Sequence, residues 1–367
     1  MDRERRYKLW LAFALGDRIK RQNSLLEEYG SAEAVFHAAK AGKIQQLIRG
    51  DDILIPLLKN KAEESYIDRC LAYLEKHKID TVLMDDANYP VLLREITMSP
   101  MVLYVKGRLP ERIDLPIAVI GSRDCSQYGA NIAASISGEL AACGVCVVSG
   151  LARGIDCTSA EAALDNAPKD SFPTVAVLGS GVDVFYPAEN RRLYDRICER
   201  GAVISEFPPG TSPERFNFPR RNRIISGMSK GVLVVEAAKK SGTRITVDYA
   251  LEQGRDVFAV PGRITDETCQ GTNEMIRDGI AKLVNEAEDV LVEYGVRAAA
   301  RKKAEDIDIF ALSVEEALIV KLLKARERTV DELIEMTGMD TGILNSTLTG
   351  MEISGIIKQS PGRLYSL

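Results

Sequence analysis

Six short apolar runs, separated by longer amphipathic segments, constrain the fold of this 367-residue chain more than any other feature. The runs occupy residues 117–120, 145–148, 174–178, 202–204, 232–235 and 257–260. Nearly continuous apolar strands that alternate with helices are typical of a parallel sheet with both faces covered. We therefore predict an α/β fold with a doubly wound sheet at its centre.

Segments on both sides of the sheet region predict two smaller domains. Residues 1–85 carry apolar residues at helical spacing, and Gly30 and Ser31 are placed to end one helix and begin the next. These residues predict an all-helical module similar to the helix-hairpin-helix or SAM type. We assign the remaining parts as a sheet domain at 86–295, a linker at 296–307 and a C-terminal domain at 308–367.

The C-terminal domain has the element order of a winged helix. Three helical segments, the second capped by Thr329, precede two short strands that turn at residues 360–362. The third helix of such a domain reads a DNA major groove, yet residues 338–355 contain no lysine or arginine. Because a duplex reader needs cations, contact with protein is favoured over contact with DNA, and the role of this domain stays open.

Composition and motif content exclude several classes of protein. A net charge of −5 confines any polyanion site to a local patch. No apolar run approaches the roughly 20 residues that span a bilayer. The amino-terminal segment is a poor signal peptide, so we expect a cytoplasmic protein without membrane contact. Seven scattered cysteines and two histidines predict neither a metal site nor a histidine-dependent hydrolase. The P-loop signature is absent, and no cofactor is predicted.

Small and polar residues follow the predicted strands, and parallel sheets bind ligands at the carboxyl ends of their strands. Gly121, Ser122 and Arg123 come after the first strand, where helix-start N–H groups and a guanidinium suit a phosphate. Gly150 follows the second strand. The same argument covers the turn before a later helix, which contains Ser241, Gly242 and Thr243. Each glycine taken singly is explained by turn geometry, and the joint occurrence favours a polyanion site.

A basic and aromatic segment follows the fourth predicted strand. It therefore borders the same edge of the sheet, where the carboxyl ends of the strands meet. Residues 214–230 carry five cations, one carboxylate and two interleaved phenylalanines, Phe216 and Phe218. Arginines pair with phosphates, and aromatic faces stack on unpaired bases, so the segment predicts a groove for single-stranded nucleic acid. The alternative is a basic helix start that only solvates one face.

Several motifs in this region resemble those of the DprA/Smf family of bacterial DNA-processing proteins. Across about 88–285 they keep the family's order, and they include Gly121-Ser-Arg-x-x-Ser-x-Tyr-Gly129, Ser149-Gly-x-Ala-x-Gly-Ile-Asp156, Phe218-Pro-x-Arg-Asn-Arg-Ile-Ile-Ser-Gly227 and Ser241-Gly-Thr243. The resemblance implies an extended Rossmann-like domain that binds single-stranded DNA without base specificity. It also implies a homodimer and delivery of RecA recombinase onto the bound strand, without enzymatic activity.

The resemblance also implies roles for individual residues. Arg123 would hold a phosphate and Phe218 would stack a base. The same pocket would be lined by Arg215, Arg221, Asn222 and Arg223. Two positions depart from the family pattern. Ala160 replaces a frequent histidine, and Arg244 replaces an apolar residue, where it would either extend the basic rim or pair with Glu236.

Two other functions remain as hypotheses. A nucleotide phosphoribohydrolase-like enzyme would use carboxylates near the strand ends, which are Asp156, Asp183, Glu206 and Glu236. We expect Asp156 to cap a helix and both glutamates to pair with arginines, and the Pro-Gly-Gly-x-Gly-Thr signature of those enzymes is missing. A ligand-sensing transcription factor is disfavoured by the uncharged third helix.

Overall fold

The computed structural model describes residues 2–44, 54–296, 312–354, 356–360 and 364–366. It divides into two compact units, residues 1–297 and 298–367. Residues 297–307 of the predicted linker and residues 361–362 of the predicted turn lie outside the described residues. None of the described helices is both long and apolar enough to cross a membrane.

The described part of the first unit is built around a nine-stranded, mostly parallel sheet. Its strands are β1 (Asp80–Leu83), β2 (Val102–Gly107), β3 (Pro116–Ile120), β4 (Cys146–Ser149), β5 (Thr174–Val177), β6 (Ala202–Ser205), β7 (Gly231–Val234), β8 (Asp256–Ala259) and β9 (Lys282–Leu283). Only the β1–β2 and β2–β6 pairs of this sheet are antiparallel. Each of the six predicted strands begins and ends within one residue of the corresponding observed strand, from β3 to β8. The predicted α/β fold is confirmed.

The order of strands in the sheet is β1-β2-β6-β5-β4-β3-β7-β8-β9, and its direction changes at β3. This strand pairs with β4 on one side and with β7 on the other. Such a reversal opens a crevice at the carboxyl ends of the two neighbouring strands. All five residues of β3 are buried, because both of its faces are covered.

Helices follow most of the strands and cover the sheet. Those that accompany it are α6 (Val91–Arg94), α7 (Gln127–Ala142), α8 (Ile155–Asn166), α9 (Arg191–Arg200), α10 (Asn217–Gly227), α11 (Thr243–Glu252), α12 (Gln270–Arg277) and α13 (Ala287–Glu293). The helices after β3, β6 and β7 are separated from their strands by loops that carry the polar residues identified in the sequence. These loops and the first turns of α10 and α11 therefore form the edge where a ligand would bind.

Five further helices precede the sheet and pack on its antiparallel edge. They are α1 (Arg3–Leu15), α2 (Ile19–Tyr29), α3 (Ala32–Lys40), α4 (Leu54–Lys61) and α5 (Glu64–Lys76). Gly30 ends α2 with a left-handed φ of 78°, and the Ser31 hydroxyl accepts from the Ala34 N–H at 3.1 Å to begin α3, as predicted. The Phe13 and Tyr104 rings lie 5.4 Å apart, so the module and the sheet share a core. Because β1 pairs with β2, the sheet begins before the boundary predicted at residue 85.

The second unit has the predicted order of helices and strands. It contains α14 (Val314–Ala325), β10 (Arg328–Thr329), α15 (Val330–Thr337), α16 (Thr341–Ile353), β11 (Lys358–Ser360) and β12 (Leu364–Ser366). Capping boxes begin α14 at Ser313 and α15 at Thr329. The three strands pair in the order β10-β12-β11, which confirms the winged helix. Ile343 and Ile353 of α16 are 54% and 82% exposed.

Candidate nucleic-acid interface

A cavity of about 790 Å³ opens at the reversal point of the sheet, beside β3. It is lined by all the predicted site residues except Gly150 and Arg223: Gly121, Ser122, Arg123, Arg215, Phe218, Arg221, Asn222, Ser241, Gly242 and Thr243. Gly150 lies in the wall of a second cavity, of about 70 Å³, which shares Arg123, Phe218 and Arg221 with the first. We refer to the larger cavity as the crevice.

Phe218 stands in the first turn of α10, close to two guanidinium groups. The Arg123 Cζ lies 5.3 Å from the centre of its ring, and the Arg221 Cζ lies 5.9 Å from it. Cations at these distances are attracted to the ring face and hold it in place. The Tyr186 ring lies 5.5 Å from Phe218 and is 46% exposed, so a second aromatic face adjoins the first. The sequence argument did not assign a role to Tyr186.

Arg221 is buried and braces the ends of two strands. Its Nη1 donates to the Gly150 carbonyl at 2.7 Å and to the Val177 carbonyl. Burial lowers the pKa of Arg221 to about 10, against the opposing charge of Asp156, so the side chain stays cationic at neutral pH. A Cβ at Gly150 would lie 2.3 Å from Nη1. Gly150 therefore makes room for the arginine, and it lines the smaller cavity and not the crevice.

The turn after β3 is more fully hydrogen-bonded than predicted. The Ser122 N–H donates to the Glu236 carbonyl at 2.8 Å, and the Ser126 N–H donates to the Glu236 carboxylate at 2.8 Å. The Ser126 hydroxyl caps α7 by accepting from the Gly129 N–H. Because the Ser122 and Ser126 N–H groups are occupied, neither is available for the expected backbone contact with a phosphate. The exposed guanidinium of Arg123 at the same turn has no ion pair within the described residues.

The turn at 241–243 lies against the crevice at the start of α11. The Ser241 hydroxyl accepts from the Thr243 N–H at 3.2 Å and donates to the Thr243 hydroxyl at 2.9 Å. Arg244, the next residue, donates to Asp248 at 3.0 Å. It therefore does not pair with Glu236, which was one of its two predicted roles.

The carboxylates near the strand ends have structural partners. Glu236 accepts from Ser126 and from Thr268 at 2.7 Å, so the prediction that it pairs with an arginine is wrong. Asp156 accepts from the Gly150 N–H at 2.9 Å, and burial raises its pKa. It lies in the first turn of α8, whose N-cap is Gly154, so the predicted capping role is wrong as well. Among the described residues, no group of three or more histidine, cysteine, aspartate or glutamate side chains could hold a metal ion.

Arg223 does not line the crevice. Residues two positions apart on an α-helix point about 200° apart. Arg223 therefore leaves α10 on the side opposite Arg221 and forms a buried ion pair with Glu206, which confirms the predicted arginine partner of that glutamate. Burial raises the pKa of Glu206 to about 7, although Arg223 opposes this shift.

Two family models match the chain. The model of DNA recombination-mediator protein A matches residues 80–295, and the model of the DprA winged helix domain matches residues 303–363. The chain belongs to the DprA/Smf family. Its family membership assigns it to DNA processing and recombination.

Curated DprA/Smf members are similar over most of their length. The chain is 43% identical over 259 residues to DNA processing protein DprA of Streptococcus pneumoniae, covering 68% of this chain and 88% of that protein. It is 38% identical over 257 residues to DprA of Bacillus subtilis, covering 69% and 85%.

Two solved DprA structures resemble this one. The S. pneumoniae protein matches with a TM-score of 0.65 at 35% identity, covering 78% of this chain and 97% of that one. DNA processing protein A from Helicobacter pylori, whose structure was described for its mode of binding single-stranded DNA, matches with a TM-score of 0.53 at 26% identity. That match covers 59% of this chain and 95% of the other.

Proposed function

We propose that this DprA/Smf protein binds single-stranded DNA in the crevice without sequence specificity and delivers RecA recombinase onto the bound strand. The observation that carries the proposal is the contact of Phe218 with the guanidinium groups of Arg123 and Arg221 at the reversal point of the sheet. The DNA-binding structure described for the H. pylori relative supports the same ligand. The DNA recombination-mediator model, which matches residues 80–295, supports the step that follows binding.

In the proposed complex, the strand is held by stacking and by charge. An unpaired base stacks on Phe218, and the adjoining Tyr186 ring offers a second face to a neighbouring base. Arg123 and Arg215 are exposed on the rim, where their guanidinium groups reach phosphates. Stacking accepts every base because each has a π face, and phosphates are the same at every position. The arrangement therefore favours single strands over duplexes without selecting a sequence.

A titration of labelled oligo-dT and of an equal-length duplex, repeated over a salt series, tests this proposal. We expect preference for the single strand, with a log–log salt slope of about −0.7 for each phosphate that is neutralised. Equal binding of both forms, or no binding, would contradict the proposed site. Stimulation of RecA filament formation on the same oligonucleotide then tests the delivery step separately, because a binder without that activity would give normal titrations.

We further infer that the protein acts as a homodimer and without catalysis. Sedimentation of the full chain at several concentrations tests the dimer. The absence of catalysis is supported by the carboxylates Glu206 and Glu236, which pair with Arg223 and Ser126. Release of free base from nucleoside monophosphates would contradict it and would favour the phosphoribohydrolase alternative, provided that Glu236→Gln abolished the activity.

A further inference from the structure

The crevice receives part of its wall from the loop between β6 and α10, residues 206–216, which we refer to as the approach loop. Pro213 and Arg215 of this loop line the crevice, and Phe218 follows it in the first turn of α10. Helices α1 to α5, which we call the helical module, contribute none of the described residues that line it. The DNA binding proposed above therefore assigns no part to this module.

The carboxylate of Asp183 joins the approach loop to the helical module. Its Oδ1 accepts from the Gly210 N–H at 2.8 Å, and its Oδ2 accepts from the Tyr73 hydroxyl of α5 at 2.7 Å. The Tyr73 ring is itself stacked on His77, with the ring centres 4.1 Å apart. Each oxygen of this carboxylate thus holds one of the two parts, so a shift of the loop away from the module breaks a hydrogen bond.

The position of Asp183 is fixed by its neighbours in the loop after β5. Val182 is fully buried and belongs to the hydrophobic cluster that contains Trp10 of α1. The Gly181 N–H donates to the Thr211 carbonyl of the approach loop at 2.9 Å. Three successive residues therefore contact the helical module, the approach loop or both, so the position of the loop depends on that of the module.

The helical module meets the approach to the crevice at a second point. A Cβ added at Gly16, which ends α1, would lie 3.8 Å from the Pro208 side chain, so the end of α1 lies against the approach loop. The next residue, Asp17, forms an ion pair with Arg220 of α10, and its side chain is only 17% exposed. The module therefore holds both the approach loop and the helix into which the loop leads.

We propose that Asp183 is a positioning residue for DNA binding, through which the helical module holds the approach loop in its binding-competent position. The inference rests on the binding of single-stranded DNA proposed above. A loop that is held in place in advance loses less conformational entropy when a strand binds. When only a fraction of the molecules have the loop in position, the apparent affinity falls in proportion to that fraction. Loss of the Asp183 contacts therefore weakens binding, although no contact with DNA has been removed.

Oligo-dT titrations of two Asp183 variants test the proposal through the sign of the effect. Asp183→Ala removes both hydrogen bonds, and we expect it to weaken binding by about tenfold or more. Asp183→Asn keeps both, since its Oδ1 still accepts from Gly210 and its Nδ2 donates to the Tyr73 oxygen, so affinity stays within about twofold of wild type. A direct effect of charge on the DNA would give the opposite result, because the loss of an anion beside a polyanion tightens binding in both variants.

A tyrosine pair provides a milder variant and its control. Tyr73→Phe removes only the bond on the module side, and we expect about two- to tenfold weaker binding of oligo-dT. Its Tm stays close to that of wild type, because the lost hydrogen bond is exposed. Tyr294→Phe is the matched control, since its hydroxyl also donates to an exposed aspartate, Asp256, at 2.9 Å, but it does not line the crevice. We expect its affinity to equal that of wild type.

Hydrogen exchange of the DNA-free protein reports on the contacts of Asp183 without reference to binding. We expect faster exchange across the approach loop in Asp183→Ala and Tyr73→Phe than in wild type, Asp183→Asn and Tyr294→Phe. Unchanged exchange in the first two variants, or faster exchange with wild-type affinity, would overturn the positioning role while the proposed DNA binding stands. Failure of wild type to bind oligo-dT would overturn the proposed function, and this inference with it, whatever the exchange rates show.

Discussion

The two faces of α10 use the same residue type for different purposes. Arg221 is buried against the carbonyl groups of Gly150 and Val177, lines the crevice and forms no ion pair within the part of the chain that the structure describes, although the charge of Asp156 acts on it. Arg223 is buried against the carboxylate of Glu206. Backbone carbonyls leave the positive charge of an arginine available to a polyanion, whereas a carboxylate neutralises it. The comparison teaches that the number of arginines on a helix predicts polyanion binding only once the hydrogen-bond partner of each arginine is known.

The largest effect is expected from separating the buried ion pair. Arg223→Met leaves the Glu206 carboxylate buried without its partner, and we expect a loss of about 3–5 kcal/mol in the free energy of unfolding, measured in urea. The double variant with Glu206→Met recovers most of this loss, because neither charge remains. A double variant as unstable as the single one would show that the pair is not the cause. Arg221→Met, whose hydrogen-bond partners are neutral carbonyl groups, is expected to cost less, about 1–3 kcal/mol.

A Cβ added at Gly150 would displace the Arg221 guanidinium without removing its charge. This change tests the face of α10 that lines the crevice. In Gly150→Ala, the added Cβ meets the guanidinium at 2.3 Å, so we expect a loss of about 1–3 kcal/mol in stability together with weaker binding of oligo-dT. Gly350→Ala is the control, because a Cβ there has no atom within 4 Å and the residue lies in α16, outside the crevice. Equal effects at the two glycines would refute the assigned role of Gly150.

The aromatic residues of α10 and its approach offer a matched pair for binding. Phe218→Ala and Arg123→Ala are each expected to weaken oligo-dT binding by about 1–3 kcal/mol, measured by fluorescence anisotropy. Phe216→Ala is the control, since Phe216 is 59% exposed and does not line the crevice. Wild-type affinity in the Arg123→Ala, Phe218→Ala double variant would disprove the site.

A pH series sharpens the contrast on the other face. The pKa of Glu206 is about 7 in the folded protein, above the ordinary value of 4.5, so the folded state binds this proton more tightly than the unfolded state. This contribution to stability is therefore lost as the pH rises from 4.5 to 7 and is constant above 7. Relative to Glu206→Gln, wild type should lose about 1–3 kcal/mol between pH 5 and pH 8. Parallel stability curves would contradict the raised pKa.

The smallest effect is expected on the surface of α11. Arg244 and Asp248 form an exposed pair one helical turn apart, with side chains 43% and 54% exposed. We expect Arg244→Ala to change the free energy of unfolding by less than about 0.5 kcal/mol. A change in oligo-dT affinity, measured in the same preparation, would show that this residue belongs to the basic rim after all.

The parts of the fold that the sequence predicted are those with a strong local signal. The runs at β3 to β8 are apolar because both faces of the strands are buried, and their ends place Arg123 and Phe218 at one edge. The signal is weak at β1, whose first residue is exposed, and at β9, where both residues are exposed. Their existence depends on pairing with distant strands, which no local pattern encodes.

The site was predicted less completely, because the sequence does not show where a helical side chain points or which path a loop takes. Arg223 belongs to the same basic run as Arg221. Only the position of both residues within α10 shows that their side chains point in opposite directions. The contact of Tyr186 with Phe218 depends on the path of the loop after β5. The sequence argument treated the Ser122 N–H as free, because its partner, the Glu236 carbonyl, lies just after β7 and is distant in the sequence.

The reversal of strand order at β3 also bears on how the chain is made. Ile117 of β3 pairs with Gly231 of β7, so a strand from early in synthesis waits for one that leaves the ribosome much later. Pairings this distant in sequence form slowly, and an unpaired strand edge is a template for aggregation. During translation, β3 can pair with β4 but lacks its second neighbour, and the crevice lacks the walls that α10 and α11 supply. The nascent protein therefore passes through an interval in which it is vulnerable to misassembly and in which the proposed DNA-binding site has not yet formed.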